Sequence, residues 1–298
     1  MIRVANAPCS WGVIENVDGG RQTYETVLDE IAATGYTGTE LGDWGFMPTD
    51  PEKLKEELAK RNLAMVGSWV SVTLQDPDKH RRAVDNALRT ARLLEAVGGG
   101  EPLIIMGNDP HTDFVRTKHA GRITPDLGLT DADWKSFVKG ANEVGRAVRE
   151  ETGLRAVFHP HVATYVETGE EIDRFFEGTD PELVGLAFDT AHIAYGGSDP
   201  LEVLRRYIDR LQHVHLKGYS ATAAEKCRSQ KIDAVEAVGE GVFCALSESD
   251  IDFTSVLSLL REKGYDGWAV VEQDVLPGMG TPKENAQANR DFLRSVGL

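Results

Sequence analysis

Short apolar runs rich in Val, Ile and Ala alternate along this chain with longer stretches in which apolar residues recur every three or four positions. The first pattern predicts buried strands and the second predicts amphipathic helices. Eight strand-type runs stand out, at 2–7, 38–42, 63–70, 102–107, 154–160, 183–189, 211–217 and 268–273. Between them, "TYETVLDEIAATG" ends its helical spacing on a glycine, where a helix stops. "TDPEKLKEELAKRN" opens with a cap residue, places proline in the first turn, and carries acids early and bases late. "DPDKHRRAVDNALRTARLLEAVG" begins with the same Asp-Pro pair. Five more helical stretches follow at 130–153, 168–178, 199–210, 252–264 and 281–296.

Eight strands alternating with eight helical stretches predict parallel βα units. Eight such units can close into a (β/α)8 TIM barrel, an α/β fold that has no edge strands. An open doubly wound sheet is the competing fold. Its dinucleotide fingerprint, GxGxxG after the first strand, has no counterpart in "ANAPCSWG". With no linker or low-complexity segment, residues 1–298 are expected to form a single barrel domain. Two connections after strands are long, 108–130 and 218–251, and are expected to wall the catalytic face.

Composition narrows the partners. The 298 residues are 41% hydrophobic and 27% charged, with a net charge of −16. That charge repels phosphate backbones and anionic lipid, so neither nucleic acid nor a membrane is expected as a partner. Cys9, Cys227 and Cys244 are far apart and form no CxxC, which fits a reducing cytoplasm. "MIRVANAPCSWG" lacks a basic segment followed by a long apolar run, so no leader is expected, and no apolar run reaches membrane-spanning length. The pattern leaves room for a homo-oligomer.

The chemistry gathers at the ends of the last four strands. Strand five runs into "FHPHVATYVET", with His159, His161 and Glu167; strand six ends in "FDTAH", with Asp189 and His192. Strand seven, "HVHLK", carries His213, His215 and Lys217, and strand eight ends in "VVEQD", with Glu272 and Asp274. Closing the barrel brings these ends together. Carboxylates with imidazoles suit one divalent ion among Mn, Co, Mg, Fe and Zn, and the lack of thiolates argues against a structural zinc cage. Each residue has a plainer reading. Asp189 can cap the next turn, and a single strand histidine is usually a satisfied core residue. Glu272 resists such a reading, because an ionised carboxylate buried at a strand end costs several kcal/mol unless paired or metal-bound. His213 lies deeper and is expected to support the ligands from behind or to be structural.

The remaining strand ends supply shape. Ser10 and Trp11, Glu40, Asp43 and Trp44, Ser68 and Trp69, and Asn108 with Asp109 offer aromatic faces beside polar groups, a combination that suits sugar or cyclitol rings. Cys9 reads as a packing residue. "VGGGEP" and "VGEGV" lack the strand–helix setting of a phosphate cradle.

Taken with "TELGDWGFMPTDPEKLKEELAKRNLAMVGSWV", "PELVGLAFDTAHIAYGGSDP" and "GVFCALSESDIDF", these segments resemble the inosose dehydratases of the xylose isomerase-like TIM-barrel superfamily across nearly the whole chain. The resemblance implies one divalent metal, often manganese or cobalt. It implies ligands from strands five to eight: Glu167 or His159, then Asp189, His215 and Glu272. His192 matches a pocket histidine that contacts substrate. The chain departs from the pattern after strand seven. Gly218 and Ser220 replace an acid and a base, and "SESDIDF" stands where a glycine-rich segment is usual.

The expected activity is metal-dependent dehydration of a keto-polyol such as 2-keto-myo-inositol through an enediolate. His161, His159 and Lys217 are the acid/base candidates. Glu40, Trp11, Trp44, Trp69 and Asn108 are expected to hold substrate. A sugar isomerase or epimerase could use the same pocket, and a non-catalytic sugar-binding barrel is the third reading.

Overall fold

In this computed structural model, which describes residues 1–13, 22–108, 113–274 and 279–298, nine strands lie in one hydrogen-bonded system. They are β1 (Arg3–Asn6), β2 (Gly38–Glu40), β3 (Ala64–Val72), β4 (Leu103–Asn108), β5 (Arg155–Phe158), β6 (Val184–Asp189), β7 (Leu211–Tyr219), β8 (Phe243–Cys244) and β9 (Trp268–Glu272). From β1 to β7 each strand pairs in parallel with the next. β9 closes the ring by pairing in parallel with both β7 and β1, so Ala5 faces Gly38 on one side and Val270 on the other. The short β8 stands outside the ring, antiparallel to the end of β7.

The helices are α1 (Tyr24–Ala33), α2 (Pro51–Ala59), α3 (His80–Val97), α4 (Phe114–Lys118), α5 (Asp131–Thr152), α6 (Gly169–Gly178), α7 (Thr190–Tyr195), α8 (Pro200–Arg206), α9 (Ala221–Gln230), α10 (Ala234–Gly239), α11 (Phe253–Glu262) and α12 (Pro282–Ser295). Side-chain oxygens cap many of them. Asp50 accepts from the Lys53 amide ahead of Pro51, while Thr130 with Asp133 and Thr168 with Glu171 form capping boxes. The second Asp-Pro pair caps a 3-10 turn at Pro77–Lys79 rather than α3 itself.

Strand residues alternate between two surfaces. Outward-facing Val70, Met106, Phe158 and Leu216 join the helices in the main core. The inward-facing side is apolar toward the strand starts, with Ala5, Val66 and Val270 in one group and Leu103, Ile105, Val157 and Ala187 in another. Two positions further along the same strands the inward residues become polar: Val157 is followed by His159, Ala187 by Asp189, and Val270 by Glu272. The period of two thus lifts the chemistry onto the C-terminal rim of the barrel, where βα loops converge.

Those loops are more structured than a plain connection. After β4, residues 109–112, including Asp109, lie outside the described residues, and α4 follows. The segment after β7 folds as α9, α10 and β8. Gly218 is required there, because a Cβ at that position would sit 2.3 Å from the Cys244 carbonyl oxygen across the β7–β8 pair. Ser220 caps α9. Among the described residues no helix is long and apolar enough to cross a membrane.

Candidate active site

Asp189 ends β6 and does two things at once. Its Oδ1 accepts from the Ala191 and His192 amides, each at 2.8 Å, and so caps α7. Its Oδ2 faces the barrel axis, 3.5 Å from His159 Nε2 and 3.9 Å from His215 Nδ1. Atoms of His159, Asp189 and His215 lie within 4.8 Å of one another, and all three residues are buried. Glu272 Oε1 stands 3.3 Å from His215 Nδ1. Asp189 Oδ2 and His215 Nδ1 have no hydrogen-bond partner despite full burial. Buried polar atoms that converge without being satisfied by one another are the arrangement a cation site requires. The donor set therefore fits a divalent metal.

Glu40, at the end of β2, fixes the orientation of that set. Its Oε1 lies 2.8 Å from both His213 Nε2 and His215 Nε2. Glu40, His213 and His215 also form a group close enough to hold an ion. Their short hydrogen bonds already satisfy them, which distinguishes them from the unsatisfied triad. With Nε2–H of His215 donated to Glu40, Nδ1 is left on the side of Asp189 and Glu272, where it can carry a proton or bind a cation. Burial works to raise the Glu40 carboxyl, but the His215 and His213 imidazoles outweigh it and hold the group well below the usual carboxylate range. Burial likewise disfavours charge on His215, yet Glu272, Glu40 and Asp189 push it up to about 9. The pocket's field thus demands positive charge at this point, which a proton supplies when no cation does.

Beside the triad, His161 and His192 lie face to face with ring centroids 3.7 Å apart and planes 31° from parallel. Burial, followed by the charges of His161 and Lys217, drives the His192 pKa well down, so its imidazole is neutral. The Lys217 ammonium is 3.0 Å from Asp274, 3.4 Å from Glu272 and 3.4 Å from His192 Nε2. Burial opposes its charge, but Asp274, Glu272 and Asp189 overcome burial and raise it. The Trp69 ring packs at a steep angle against His159 and His161, with centroids 5.5 and 5.9 Å away.

Several expected site residues do other work. Glu167 does not reach the triad: its oxygens accept from the Gly121 and Ala163 amides at 2.6 and 2.7 Å, tying the β4 and β5 loops together. The chain reverses at Ala163, whose φ is +64°, and it is His159, just after β5, that lies beside Asp189 and His215. Trp11 is buried in the core and donates to Glu30 at 2.7 Å. Asn108 uses its amide on the Val72 carbonyl and Gln75, each at 3.1 Å. Glu40 faces histidines rather than open space. Trp44 is on the surface, 37% exposed, with the Arg89 guanidinium 4.3 Å over its ring.

A buried ion pair was missed by the sequence reading. Arg116 of α4, 1% exposed, donates to both oxygens of Glu171 at 2.8 and 2.9 Å. Glu171 also accepts from the Glu167 and Thr168 amides, and Tyr165 donates to Asp113. The Thr168–Glu171 capping box is visible in the sequence as T-x-x-E; nothing in the sequence marks Arg116.

A (β/α)8 barrel that gathers buried imidazoles, carboxylates and an ammonium at the C-terminal rim of its strands has the architecture of a barrel enzyme. This chain belongs to the xylose isomerase-like TIM barrel family, whose profile matches residues 28–296. It is 34% identical to an inosose dehydratase of Geobacillus kaustophilus (strain HTA426), covering 98% of this chain and 93% of that protein. It is 32% identical to an inosose dehydratase of Clostridium tetani (strain Massachusetts / E88), covering 98% and 96%. Its fold superposes on D-psicose 3-epimerase from Clostridium cellulolyticum H10 with a TM-score of 0.71 and 18% identity, covering 99% of each chain. With 3-keto-D-glucoside 4-epimerase, YcjR, from E. coli, the TM-score is 0.70 at 17% identity, again covering 99% of each.

Proposed function

We propose that this enzyme dehydrates a keto-cyclitol or keto-sugar, with 2-keto-myo-inositol the first substrate to test, and that it uses one divalent cation, manganese or cobalt. The observation that carries the reading is the convergence of unsatisfied atoms of Asp189 and His215 beside His159. The curated relatives, named inosose dehydratases over nearly their full length, supply the substrate class. His159, Asp189, His215 and Glu272 would hold the cation, which when bound supplies Lewis acidity to a carbonyl beside the C–H bond to be broken.

The chain's own groups divide the remaining work. Neutral His192, stacked on His161, accepts the α-proton; its low basicity in the free pocket rises once an anion develops nearby. Lys217, kept charged by Asp274 and Glu272, stabilises the negative oxygen of the enediolate through space. His161, entering in its protonated form, gives a proton to the departing hydroxyl, which leaves as water, and the proton taken up by the stacked His192 ring then restores it. Trp69 closes one side and supplies an apolar face to the ring.

Incubating metal-loaded protein with 2-keto-myo-inositol and following water loss by NMR tests the proposal. Turnover that EDTA removes and Mn²⁺ or Co²⁺ restores is the expected result; unchanged substrate with metal bound would count against it. The epimerase reading has one observation in its favour. The His159, His161 and His192 rings, within 5.7 Å of one another, give more than one base beside a single carbon. Deuterium incorporation from D₂O without dehydration would favour it.

A further inference from the structure

Beside the metal-type cluster, and sharing Trp69 as a wall, lies a groove of about 560 Å³ between the end of β3, the turn after β2 and the first half of α3. Its lining carries three cations, Lys79, Arg82 and Arg89, against one carboxylate, Asp43. In a chain with 48 acidic and 32 basic residues, this local excess runs against the overall charge. Arg82, Asn86 and Arg89 recur at helical spacing on α3 and so share one face.

Arg82 and Arg89 make no ion pair with any described residue, whereas Lys79 has Asp76 at 3.7 Å. A surface arginine without an acid partner is usually only solvated. Here Arg89 is stacked on Trp44, which restrains the guanidinium while its N–H donors are not spent on any described residue. Planar, pre-positioned donors at the edge of a polar groove match phosphate or carboxylate oxygens. The other edge of the groove is Trp69, whose ring touches His159 and His161.

We propose that this groove is a subsite for an anionic substituent, phosphate or carboxylate, carried by the substrate whose keto-polyol part occupies the metal-type cluster. The subsite rests on the keto-polyol reading for its substrate but not for its anion binding. A neutral cyclitol would fill the cluster and leave the groove to water. A substrate extended by one charged group would fill both, with Trp69 between them.

Calorimetric titration with inorganic phosphate tests the anion site without any turnover. Wild-type protein is expected to bind phosphate saturably, and Arg82→Gln/Arg89→Gln to bind it about tenfold more weakly, as loss of charge-assisted hydrogen bonds implies. Both side chains are exposed, and a far-UV spectrum checks that the double variant is folded. Absence of saturable binding, or equal binding by the variant, overturns the proposal.

A second arm compares 2-keto-myo-inositol with its phosphate monoesters as substrates and competitive ligands. An ester that binds about tenfold tighter than the parent, with that advantage lost in the double variant, supports a substrate subsite. Phosphate binding with no ester advantage overturns the substrate assignment and leaves a site for a free anion. Intact phosphate binding with no dehydration of parent or ester sinks the dehydratase reading alone.

Discussion

Glu40 and His215 are 175 positions apart in sequence and 2.8 Å apart in the barrel, joined through Oε1 and Nε2. The same Glu40 oxygen receives His213 at 2.8 Å. A carboxylate behind a ligating histidine sets its tautomer and strengthens it as a ligand. Glu40→Gln removes the charge while keeping the shape. Its expected effect is a metal affinity about 10–100-fold lower, read by competition with a chelating dye, with an unchanged far-UV spectrum. Undiminished affinity would mean that Glu40 serves some other purpose.

Asp189 offers one oxygen to a helix cap and the other to the cluster, so two substitutions separate the roles. Asp189→Asn keeps a cap acceptor but loses the charge and should abolish stoichiometric metal binding with little change in apo-protein melting. Asp189→Ala also uncaps α7 and should cost about 1 kcal/mol more stability. Metal content by elemental analysis, together with melting of the metal-free proteins, reads both. Equal metal loading in wild type and Asp189→Asn would remove Asp189 from the ligand set.

Glu167 titrates in the folded protein near neutrality. Burial pushes its carboxyl up to about 7, against the opposing pull of Arg116 and the Gly121 and Ala163 amides. An unfolded glutamate titrates near ~4.3. The folded state therefore holds the proton more tightly, and Glu167's contribution to stability is greatest below about pH 4.3, falls as pH rises to about 7, and is level above. Denaturant titrations from pH 4.5 to 8 should show Glu167→Gln lacking this decline. A stability difference from wild type that does not vary with pH would contradict the assignment.

Arg116 and Glu171 form a bidentate pair shielded from water, and removing either partner strands the other charge. Arg116→Ala is expected to destabilise the protein by about 3–5 kcal/mol. Its measured loss in guanidinium unfolding should exceed that of Arg92→Ala, whose pairing with Glu151 is on the surface. Similar losses for the two variants would show that the buried pair has no special weight.

Gly107 leaves room for Trp69: a Cβ at Gly107 would lie 1.7 Å from the indole ring. Gly107→Ala must therefore displace Trp69 from His159 and His161. A several-fold rise in KM and a changed near-UV spectrum are expected, with kcat less affected. An unaltered near-UV spectrum would show that the ring had not moved.

The barrel was legible because its signals are local. Alternation of period two and three-to-four residue helical spacing are written into each short segment, and the Asp50, Thr130 and Thr168 caps lie within three residues of the amides they serve. The same locality put Asp189, His215 and Glu272 at strand ends, and closure of the barrel did the rest. Glu167 was misplaced because its direction depends on the reversal at Ala163 and on the Gly121 amide, which belongs to another loop. Trp11 and Asn108 were misplaced for a related reason. A polar or aromatic side chain near a strand end can turn toward the site or toward a neighbouring loop, and partners distant in sequence decide which.

By itself, then, the sequence determined the eightfold βα order, the inward parity of each strand and the supply of ligand-type groups on the last four. These follow from backbone geometry that repeats every few residues. Only the tertiary structure decided which histidine nitrogen faces the cluster, which carboxylate supports it from behind, and which is spent on backbone amides. Those outcomes depend on contacts between strands and loops that meet only when the ring closes.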